Sequence, residues 1–233
     1  MAIGAPPRPV NIVGAGNLGG LLADCLEDDP RWKPVAFIDE GKAGGTMRGL
    51  PVFGLDAVGP NMIRDAFLAI GFPEERRRFK QRLDPVGLDW QTFIDRRAMV
   101  SEHAQIGVGS LILNFATVAS SARIGEFVYV GSYSGVGAGA TIGAFVSVMG
   151  RASIGGCTIG DGCLIGLNSA CGDGAHLGEG VKVAPYTWVR RPAPAHSLVA
   201  GSPARIVKQP PSAASWGDEP AGASSATVGE VKK

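Results

Sequence analysis

Between residues 94 and 189 an aliphatic residue recurs every six positions, and this period constrains the fold more than any other feature of the sequence. A fixed short period is typical of a solenoid, and six residues fit a short strand followed by a tight corner better than a helix. Three hexapeptides make one triangular coil, so the sequence predicts a β-helix of roughly five to six coils that buries its aliphatic side chains between neighbouring coils. The series consists of Ile94, Val100, Ile106, Ile112, Val118, Ile124, Val130, Val136, Ile142, Val148 and Ile154 and, after a slip of one residue, Ile159, Ile165, Cys171, Leu177, Val183 and Val189.

The composition and net charge of the sequence argue against several classes of protein. The chain has 233 residues and a formal net charge of +1, so no global field favours a nucleic acid or an anionic membrane as partner. Residues 1–9 have no apolar run typical of a signal peptide, and no segment reaches the length of a membrane helix. The four cysteines form no paired framework, which favours a reducing, cytoplasmic location. Residues 1–9 are expected to be flexible, and residues 209–233, rich in Pro, Ser, Ala and Gly, to be disordered.

The N-terminal third contains a glycine-rich turn between two predicted strands. Residues 10–13 form a β-rich run that leads into GAGNLG at 14–19, followed by a helical pattern over 18–27. A second strand over 34–39 then ends in Asp39. This β-α-β context indicates a Rossmann-like domain, in which the glycine turn approaches a phosphate at a helix N-terminus. Asp39 is expected to accept a hydrogen bond from a ribose or a base.

This first domain is short. Only about seventy residues precede the next clear break, too few for both mononucleotide halves of a dinucleotide-binding fold. A third strand is predicted over 66–70 and ends in Gly71, and a short exposed helix follows over 74–83. The run Arg76-Arg77-Arg78 on that helix is predicted to be a solvated face. We therefore expect a truncated, single-nucleotide domain over residues 10–90, with a glycine turn that binds no ligand as the alternative.

Together these parts resemble the bacterial sugar acyltransferases of the hexapeptide-repeat superfamily, which include UDP-amino-sugar N-acetyltransferases and sialic-acid O-acetyltransferases. The resemblance rests on GAGNLG, on FIDE at 37–40, on AIG at 69–71, on the repeats and on AGSPAR at 200–205. It implies an α/β Rossmann-like domain at 10–90 followed by an all-β left-handed parallel β-helix at 91–208. It also implies a homotrimer that binds acyl-CoA between adjacent β-helices.

The resemblance also implies two sets of ligand contacts. The nucleotide-linked sugar is expected to contact Gly14, Gly16, Asn17, Leu18, Asp39, Glu40 and Gly71. The acetyl-CoA co-substrate is expected at Ser147, Leu167 and Pro185, and no metal is expected. The relatives carry a histidine at the position of Ser147, so this contact is altered here.

The expected catalytic base is missing. The family usually carries a histidine followed by a carboxylate shortly before an Ile-Gly pair, but this chain has Ala138 and Gly139 there. Neither can accept a proton. The other residues considered for the role are His103, Tyr133, Ser134 and Asn114, while His176 and His196 are expected to be solvated turn residues. Tyrosine and serine have reference pKa values too high to act readily as general bases at neutral pH, so they are better suited to positioning a substrate.

The sequence therefore predicts an enzyme that transfers an acyl group, expected to be acetyl, from acyl-CoA to an amino group of a nucleotide-linked sugar in glycan biosynthesis. An amine acceptor is favoured because it depends less than a hydroxyl on a general base. One alternative is a relative that binds nucleotide sugar and coenzyme A but has lost transfer chemistry, which the alanine at 138 favours. Another is a small oxidoreductase, which would rest on the glycine motif alone.

Overall fold

The computed structural model describes residues 6–59 and 61–208, so the predicted tail at 209–233 lies outside the described residues. The chain begins with a six-stranded sheet and two α-helices. These elements are β1 (Arg8–Val13), α1 (Asn17–Glu27), β2 (Trp32–Ile38), β3 (Thr46–Met47), β4 (Leu50–Phe53), β5 (Asp65–Leu68), α2 (Pro73–Leu83) and β6 (Asp89–Trp90). Short 3₁₀ turns lie at Leu55–Ala57 and Asp84–Val86.

The first sheet is parallel except at its β3 edge, and its strand order is β3-β4-β2-β1-β5-β6. Its centre is apolar because Ile12, Phe37 and Phe67 are fully buried, and α1 covers it with Leu22 and Leu26. Both helices begin one residue before their predicted starts, and β1 and β2 each begin two residues before theirs. Hydrophobic patterning cannot predict those first strand residues, since they are largely exposed. Of the two α-helices among the described residues, neither is long and apolar enough to cross a membrane.

Short strands joined by tight turns make up the rest of the described chain. They are β7 (Phe93–Ile94), β8 (Met99–Val100), β9 (Gln105–Ile106), β10 (Leu111–Ile112), β11 (Thr117–Val118), β12 (Arg123–Ile124), β13 (Tyr129–Val130), β14 (Gly135–Val136), β15 (Thr141–Ile142), β16 (Ser147–Val148), β17 (Ser153–Ile154), β18 (Thr158–Ile159), β19 (Leu164–Ile165), β20 (Ala170–Cys171), β21 (His176–Leu177), β22 (Lys182–Val183), β23 (Trp188–Val189), β24 (Leu198–Ala200) and β25 (Arg205–Lys208). The predicted boundary at residues 90 and 91 falls between β6 and β7.

These strands stack into three parallel sheets, which are the faces of a β-helix. The first face contains β7, β10, β13, β16, β19, β22 and β24, with β25 added antiparallel at its end. The second face contains β8, β11, β14, β17, β20 and β23, and the third contains β9, β12, β15, β18 and β21. We call the turns that join the first face to the second the first corner, and those that join the second face to the third the second corner.

The six-residue period is confirmed in the interior of the β-helix. Each residue of the predicted aliphatic series is the second residue of a strand from β7 to β23, and the whole series packs in or against one buried cluster. The one-residue slip also has a structural counterpart. Ile142 pairs with Ile159 one coil later, a coil one residue shorter than the Ile124–Ile142 coil before it. The tight turn at 155–157 absorbs the deletion, and the stack continues in register.

The N-terminal domain packs on the first face of the β-helix. Phe93, Leu111 and Tyr129 point outward from that face and belong to the same buried cluster as Phe37 and Phe67 of the first sheet. The rings of Phe67 and Phe93 meet edge to face with centroids 5.6 Å apart. Because α2 also lies against this face, the carboxyl ends of β1, β2 and β5 are held beside the β-helix.

Candidate functional site

A cleft of about 730 Å³ lies between the carboxyl ends of the first sheet and the first face of the β-helix. All seven residues that the sequence predicts as nucleotide-sugar contacts line it. These are Gly14, Gly16, Asn17, Leu18, Asp39, Glu40 and Gly71. The structure therefore brings together residues from three separate loops, as expected for a ligand site at the carboxyl ends of parallel strands.

The three glycines of the glycine turn have different structural roles. A Cβ at Gly14 would lie 2.6 Å from the carbonyl oxygen of Ala69, and one at Gly19 would lie 1.9 Å from the carbonyl oxygen of Gly14. Both glycines are therefore needed for the close packing of α1 against β1 and β5. At Gly16 a Cβ would meet no described atom within 4 Å. The backbone at Gly16 is thus exposed and open to a ligand.

The N-terminus of α1 opens onto this cleft. Gly16 is the N-cap residue, and within the described residues no side chain hydrogen-bonds to the cap. The first turn also holds no acidic side chain. The free backbone N–H groups and the positive end of the helix dipole favour an anion at this position. A phosphate group matches that requirement.

Asp39 organises the loop beside the turn. Its Oδ2 accepts a 2.8 Å hydrogen bond from the N–H of Ala15, and its Oδ1 accepts one of 2.9 Å from the N–H of Gly41. Lys42 Nζ donates to the carbonyl oxygen of Ala15 at 2.6 Å. Glu40 lies further out and pairs with Arg82 at 2.5 Å. Asp39 therefore fixes the turn's geometry through the backbone, whatever contact it makes with a ligand.

Ser147 occupies a different environment from the one expected. It is fully buried, and its hydroxyl donates to the carbonyl oxygen of Gly71 at 2.6 Å and accepts from Arg76 at 2.9 Å. This geometry is at odds with a direct contact to acyl-CoA, because the hydroxyl is already used and no surface of the side chain is exposed. Ser147 instead joins the β-helix to the strand end at Gly71.

The prediction of a solvated face is wrong for Arg76. Its side chain is 1 % exposed, and its guanidinium donates to the carbonyl oxygens of Ile70, Phe145 and Val146 at 2.6, 3.1 and 3.0 Å. Burial lowers the pKa of Arg76 to about 9. Arg76 therefore fastens α2 to the β-helix, while Arg78 lines the cleft and pairs with Glu75 at 2.6 Å.

The other two predicted acyl-CoA contacts lie together, away from Ser147. Leu167 and Pro185 are both exposed on the first corner in successive coils, and the N–H of Tyr186 donates to the carbonyl oxygen of Leu167 at 2.9 Å. Phe115 and Tyr133 stack on the same corner, with ring centroids 4.9 Å apart. The first corner is thus an exposed, partly apolar edge.

Ala138, where the resemblance predicts the catalytic histidine, is an exposed residue of the second corner. Strand register aligns Val100, Val118 and Val136, which places Glu102 in the same column as Ala138, two coils away. At a strand spacing of about 4.8 Å this separation is roughly 10 Å. His103, whose Nε2 lies 3.7 Å from Glu102, is exposed and does not reach the site of the missing histidine within one chain.

The remaining base candidates do not fit the role. Ser134 is buried and donates to the carbonyl oxygen of Met149 at 2.9 Å. Asn114 Oδ1 accepts a short hydrogen bond from Ser132, and Tyr133 is held in its aromatic stack. Ser134 is a structural residue, and Asn114 and Tyr133 offer positioning at most. His176 is exposed on the third face, and His196 is exposed beside Gly180.

Thiol and metal chemistry find little support in the described residues. The four cysteines are free and buried, and burial together with a hydrogen bond to Asp95 raises the pKa of Cys25 to about 12. Such a thiol stays protonated and is a poor nucleophile. Within residues 6–59 and 61–208 no group of three His, Cys, Asp or Glu side chains could hold a metal ion.

Tyr129 and Met149 also line the cleft, and sequence reasoning missed both. The sequence contains a pattern that indicates which face of the β-helix is covered. The residue before each inward aliphatic points outward, and in the first three coils of the first face these residues are Phe93, Leu111 and Tyr129, which are aromatic or aliphatic. On the third face the corresponding residues are polar, beginning with Gln105 and Arg123. An apolar outward residue every 18 positions indicates a face covered by another element.

Comparisons with known proteins agree with this architecture. The PglD N-terminal domain family matches residues 9–83, and no curated protein matches the chain in sequence. The acetyltransferase domain of PglB from Neisseria gonorrhoeae FA1090 is 25 % identical, covering 86 % of this chain and 100 % of that one with a TM-score of 0.80. WeeI from Acinetobacter baumannii AYE is 25 % identical over 85 % and 99 % of the two chains, with a TM-score of 0.69.

A third solved structure is a histidine-to-asparagine variant of perosamine N-acetyltransferase from Caulobacter crescentus in complex with CoA and GDP-perosamine. It is 22 % identical over 88 % of this chain and 97 % of that chain, and its TM-score is 0.80. At this identity the likeness concerns the fold. The predicted Rossmann-like domain followed by a parallel β-helix and the predicted resemblance are therefore confirmed: residues 9–83 match the PglD N-terminal domain family, and the chain has the fold of the hexapeptide-repeat sugar acetyltransferases.

Proposed function

We propose that this protein transfers an acetyl group from acetyl-CoA to an amino group of a nucleotide-linked sugar. The observation that carries the proposal is the cleft, where the open glycine turn, the uncapped end of α1 and Asp39 meet beside the β-helix. The PglB acetyltransferase domain has been solved with acetyl coenzyme A, and the perosamine N-acetyltransferase with CoA and GDP-perosamine. Both resemble this chain over nearly its whole described length.

The shape of the cleft supports a nucleotide sugar as its occupant. A volume of about 730 Å³ lies within the range of small-molecule sites. The strand order places β1, with its glycine turn, between β2 and β5. The nucleoside then lies on the β2 side near Asp39, the phosphates lie at the turn, and the sugar lies on the β5 side near Gly71 and the β-helix.

The missing base favours an amine as the acceptor. A sugar hydroxyl must lose a proton during attack and normally needs a general base, whose loss costs about a hundredfold in rate or more. An amine with a pKa near 8 is already partly neutral at pH 7.5, so preparing it costs about 1 kcal/mol or less. Ala138 is therefore compatible with transfer to an amine, with proton removal after attack left to water.

A second function follows from the same residue. A protein that binds a nucleotide sugar and coenzyme A without transferring the acyl group would also lack a base at Ala138. The perosamine N-acetyltransferase variant that lacks one histidine was solved with both ligands, so in that protein the substitution is compatible with binding. A measurement of acetyl transfer distinguishes between the two functions.

We further propose that the protein is a cytoplasmic homotrimer. Met99 and Trp188 on the second face and Tyr186 on the first corner are exposed by 74 %, 43 % and 69 %. Phe115 and Tyr133 are also exposed on the first corner, and these large apolar side chains, although separated by small and polar residues along the second face, support a protein–protein contact on this side of the β-helix. Four free cysteines fit a reducing compartment.

The test is acetyl transfer from acetyl-CoA to matched nucleotide sugars that carry either an amino group or a hydroxyl at the same carbon, between pH 6 and 9. We expect the amino sugar to react, with a rate that rises until the amine's own pKa is passed. Transfer to the hydroxyl sugar alone would refute the amine assignment. Binding of both ligands without transfer would establish the second function.

A further inference from the structure

Tyr129 is a polar side chain that the β-helix presents to the cleft, and the proposed function assigns it no role. Its side chain is 7 % exposed and lines the cleft beside Met149 from the next coil. It belongs to the same buried cluster as Ala15 in the glycine turn and Ala69 at the end of β5. Tyr129 therefore lies at the floor of the cleft, close to where the two domains meet.

The Tyr129 hydroxyl has a free hydrogen-bonding position. Among the described residues no hydrogen-bond partner for this oxygen is found, and it is not one of the fully buried unpaired atoms, so water or a ligand in the cleft can reach it. Burial raises the pKa of Tyr129, so the hydroxyl stays protonated at neutral pH and can donate. An acceptor from a bound ligand would complete its hydrogen bonding.

A positive charge lies behind the same floor. Arg76 is fully buried. Its guanidinium donates to the carbonyl oxygens of Ile70 and Val146 and to the Ser147 hydroxyl. No carboxylate is among these partners, and Nε has no partner within the described residues. Ser147 pairs in register with Tyr129, so the cation sits one coil away from the phenol. An uncompensated charge in a low-dielectric setting favours an anion nearby.

Topology identifies which anion this is. In the proposed function the uncapped end of α1 and the glycine turn, at the centre of the sheet, bind the first phosphate. Tyr129 pairs in register with Ser147, which bonds to Gly71 after β5, so Tyr129 is expected on the β5 side of that turn, where the proposed function puts the sugar. The group that comes next along a nucleotide sugar is the phosphate bonded to the sugar.

We propose that the Tyr129 hydroxyl donates a hydrogen bond to the sugar-linked phosphate, at a position where the Arg76 charge favours an anion. The inference rests on the proposed function, because it assumes a nucleoside diphosphate sugar in this cleft. It makes Tyr129 a binding residue that distinguishes a nucleoside diphosphate from a monophosphate.

The experiment compares affinities along a phosphate series by calorimetry. Uridine, UMP, UDP and a UDP-sugar, and guanosine, GMP, GDP and a GDP-sugar, are titrated into the full-length protein and into Tyr129→Phe, which removes only the hydroxyl. In the wild type we expect a gain in affinity from monophosphate to diphosphate. In Tyr129→Phe that gain should fall by about tenfold, as for a hydrogen bond to a charged group, while monophosphate affinity stays unchanged.

Two further variants sharpen the comparison. Tyr186→Phe removes a phenol hydroxyl from an exposed tyrosine outside the cleft and should keep the full gain from the second phosphate. Arg76→Met should reduce the gain as well, and a melting curve shows whether it is folded. If Arg76→Met does not fold, Tyr129→Phe decides the matter alone.

Three results would overturn the inference in different ways. An unchanged gain in Tyr129→Phe would mean that the hydroxyl does not contact the second phosphate. A loss confined to UDP- or GDP-sugars, with the diphosphates unaffected, would place Tyr129 against the sugar instead. A wild-type protein that binds none of these nucleotides would refute the proposed nucleotide site itself.

Discussion

The Ser147 hydroxyl donates a 2.6 Å hydrogen bond to the carbonyl oxygen of Gly71 and so joins the β-helix to the floor of the nucleotide cleft. The same oxygen accepts from Arg76, which in turn donates to Ile70 and Val146. A single buried network therefore spans both domains. The position of Gly71, which lines the cleft, depends on a residue 76 positions later in the chain.

Ser147→Ala is expected to weaken both stability and nucleotide binding. It leaves Arg76 with one fewer acceptor, so we expect a loss of about 1–3 kcal/mol in the free energy of unfolding, measured in urea. Nucleotide affinity should fall too, because Gly71 is no longer fixed. Ser134→Ala is a matched control, since Ser134 is also buried and bonded to a carbonyl but lies within the β-helix alone. An equal loss of nucleotide affinity in both variants would contradict a specific link to the cleft.

Asp39→Ala is expected to weaken nucleotide binding by about 1–3 kcal/mol, because the backbone N–H groups of Ala15 and Gly41 both lose their acceptor. Acetyl-CoA binding should be unchanged, since Leu167 and Pro185 lie on the first corner. Calorimetry with each ligand measures the two affinities. Asp24→Ala, which removes an exposed partner of Arg48, serves as a control. Equal loss of both ligands would indicate misfolding rather than a local effect.

Acid should destabilise the contact between the domains through Asp95. Burial alone would raise the pKa of Asp95, but hydrogen bonds from the Arg97 side chain and backbone and from Cys25 together hold it below its usual range. The unfolded pKa is about 3.9. Because the folded pKa is lower, the stabilisation by Asp95 is fully present above the unfolded value and is lost as the pH falls through the folded one.

The measurement is urea unfolding of the wild type and Asp95→Asn between pH 6 and pH 3. The free energy of unfolding of the wild type should fall more steeply with acid than that of Asp95→Asn. Asp24→Asn should keep the wild-type slope, because Asp24 is exposed and pairs with Arg48 at the surface. Identical slopes in all three proteins would contradict a depressed pKa at Asp95.

The fold was largely predictable because its signals are local. The inward residues recur every six positions, and a one-residue slip at 155–157 is visible in the sequence and in the paired strands. The glycine turn likewise carries its own steric requirement, since Gly14 and Gly19 tolerate no side chain. These features depend on residues that are close in sequence or fixed by the period.

The environments of Ser147, Arg76 and Tyr129 were not predictable in the same way. The period predicts that Ser147 and Tyr129 point away from the interior of the β-helix, but it cannot predict what covers that face. The cover is the N-terminal domain, and its helix α2, which is otherwise charged and exposed, buries Arg76 against the β-helix. A triplet of arginines is usually solvated, so this long-range contact overrides the local pattern.

Assembly can be tested at the exposed apolar side chains of the second face and the first corner. If three chains associate through them, sedimentation should give three times the chain mass of 24.0 kDa. Trp188→Glu places a charge in the contact and should shift the mass toward one chain. Thr141→Glu on the third face is the matched control, because Thr141 is also an exposed outward residue. A wild-type monomer at micromolar concentration would refute the trimer.

Ala138→His should have opposite consequences for amine and hydroxyl acceptors. Histidine, with a reference pKa of about 6.5, supplies a proton acceptor at neutral pH, and Ala138 is exposed, so the larger side chain has room. If the natural acceptor is an amine that is already partly neutral, the added base should raise its rate by less than about tenfold. Transfer to the matching hydroxyl sugar, which needs a base, should rise by about a hundredfold or more.

Ala138→Asn separates the effect of a base from that of size, because asparagine fills similar space without accepting a proton near neutral pH. Rates with both acceptors are measured across pH 6 to 9 for the three proteins. For the amino sugar, the wild-type rate should follow the ionisation of the substrate, and Ala138→His should flatten that dependence below the amine's pKa. A hundredfold gain with the amino sugar in Ala138→His, absent in Ala138→Asn, would mean that the missing base limits the natural reaction. If the wild type also transferred no acetyl group to either acceptor, the chain would be a binding protein that retains the fold of an acetyltransferase.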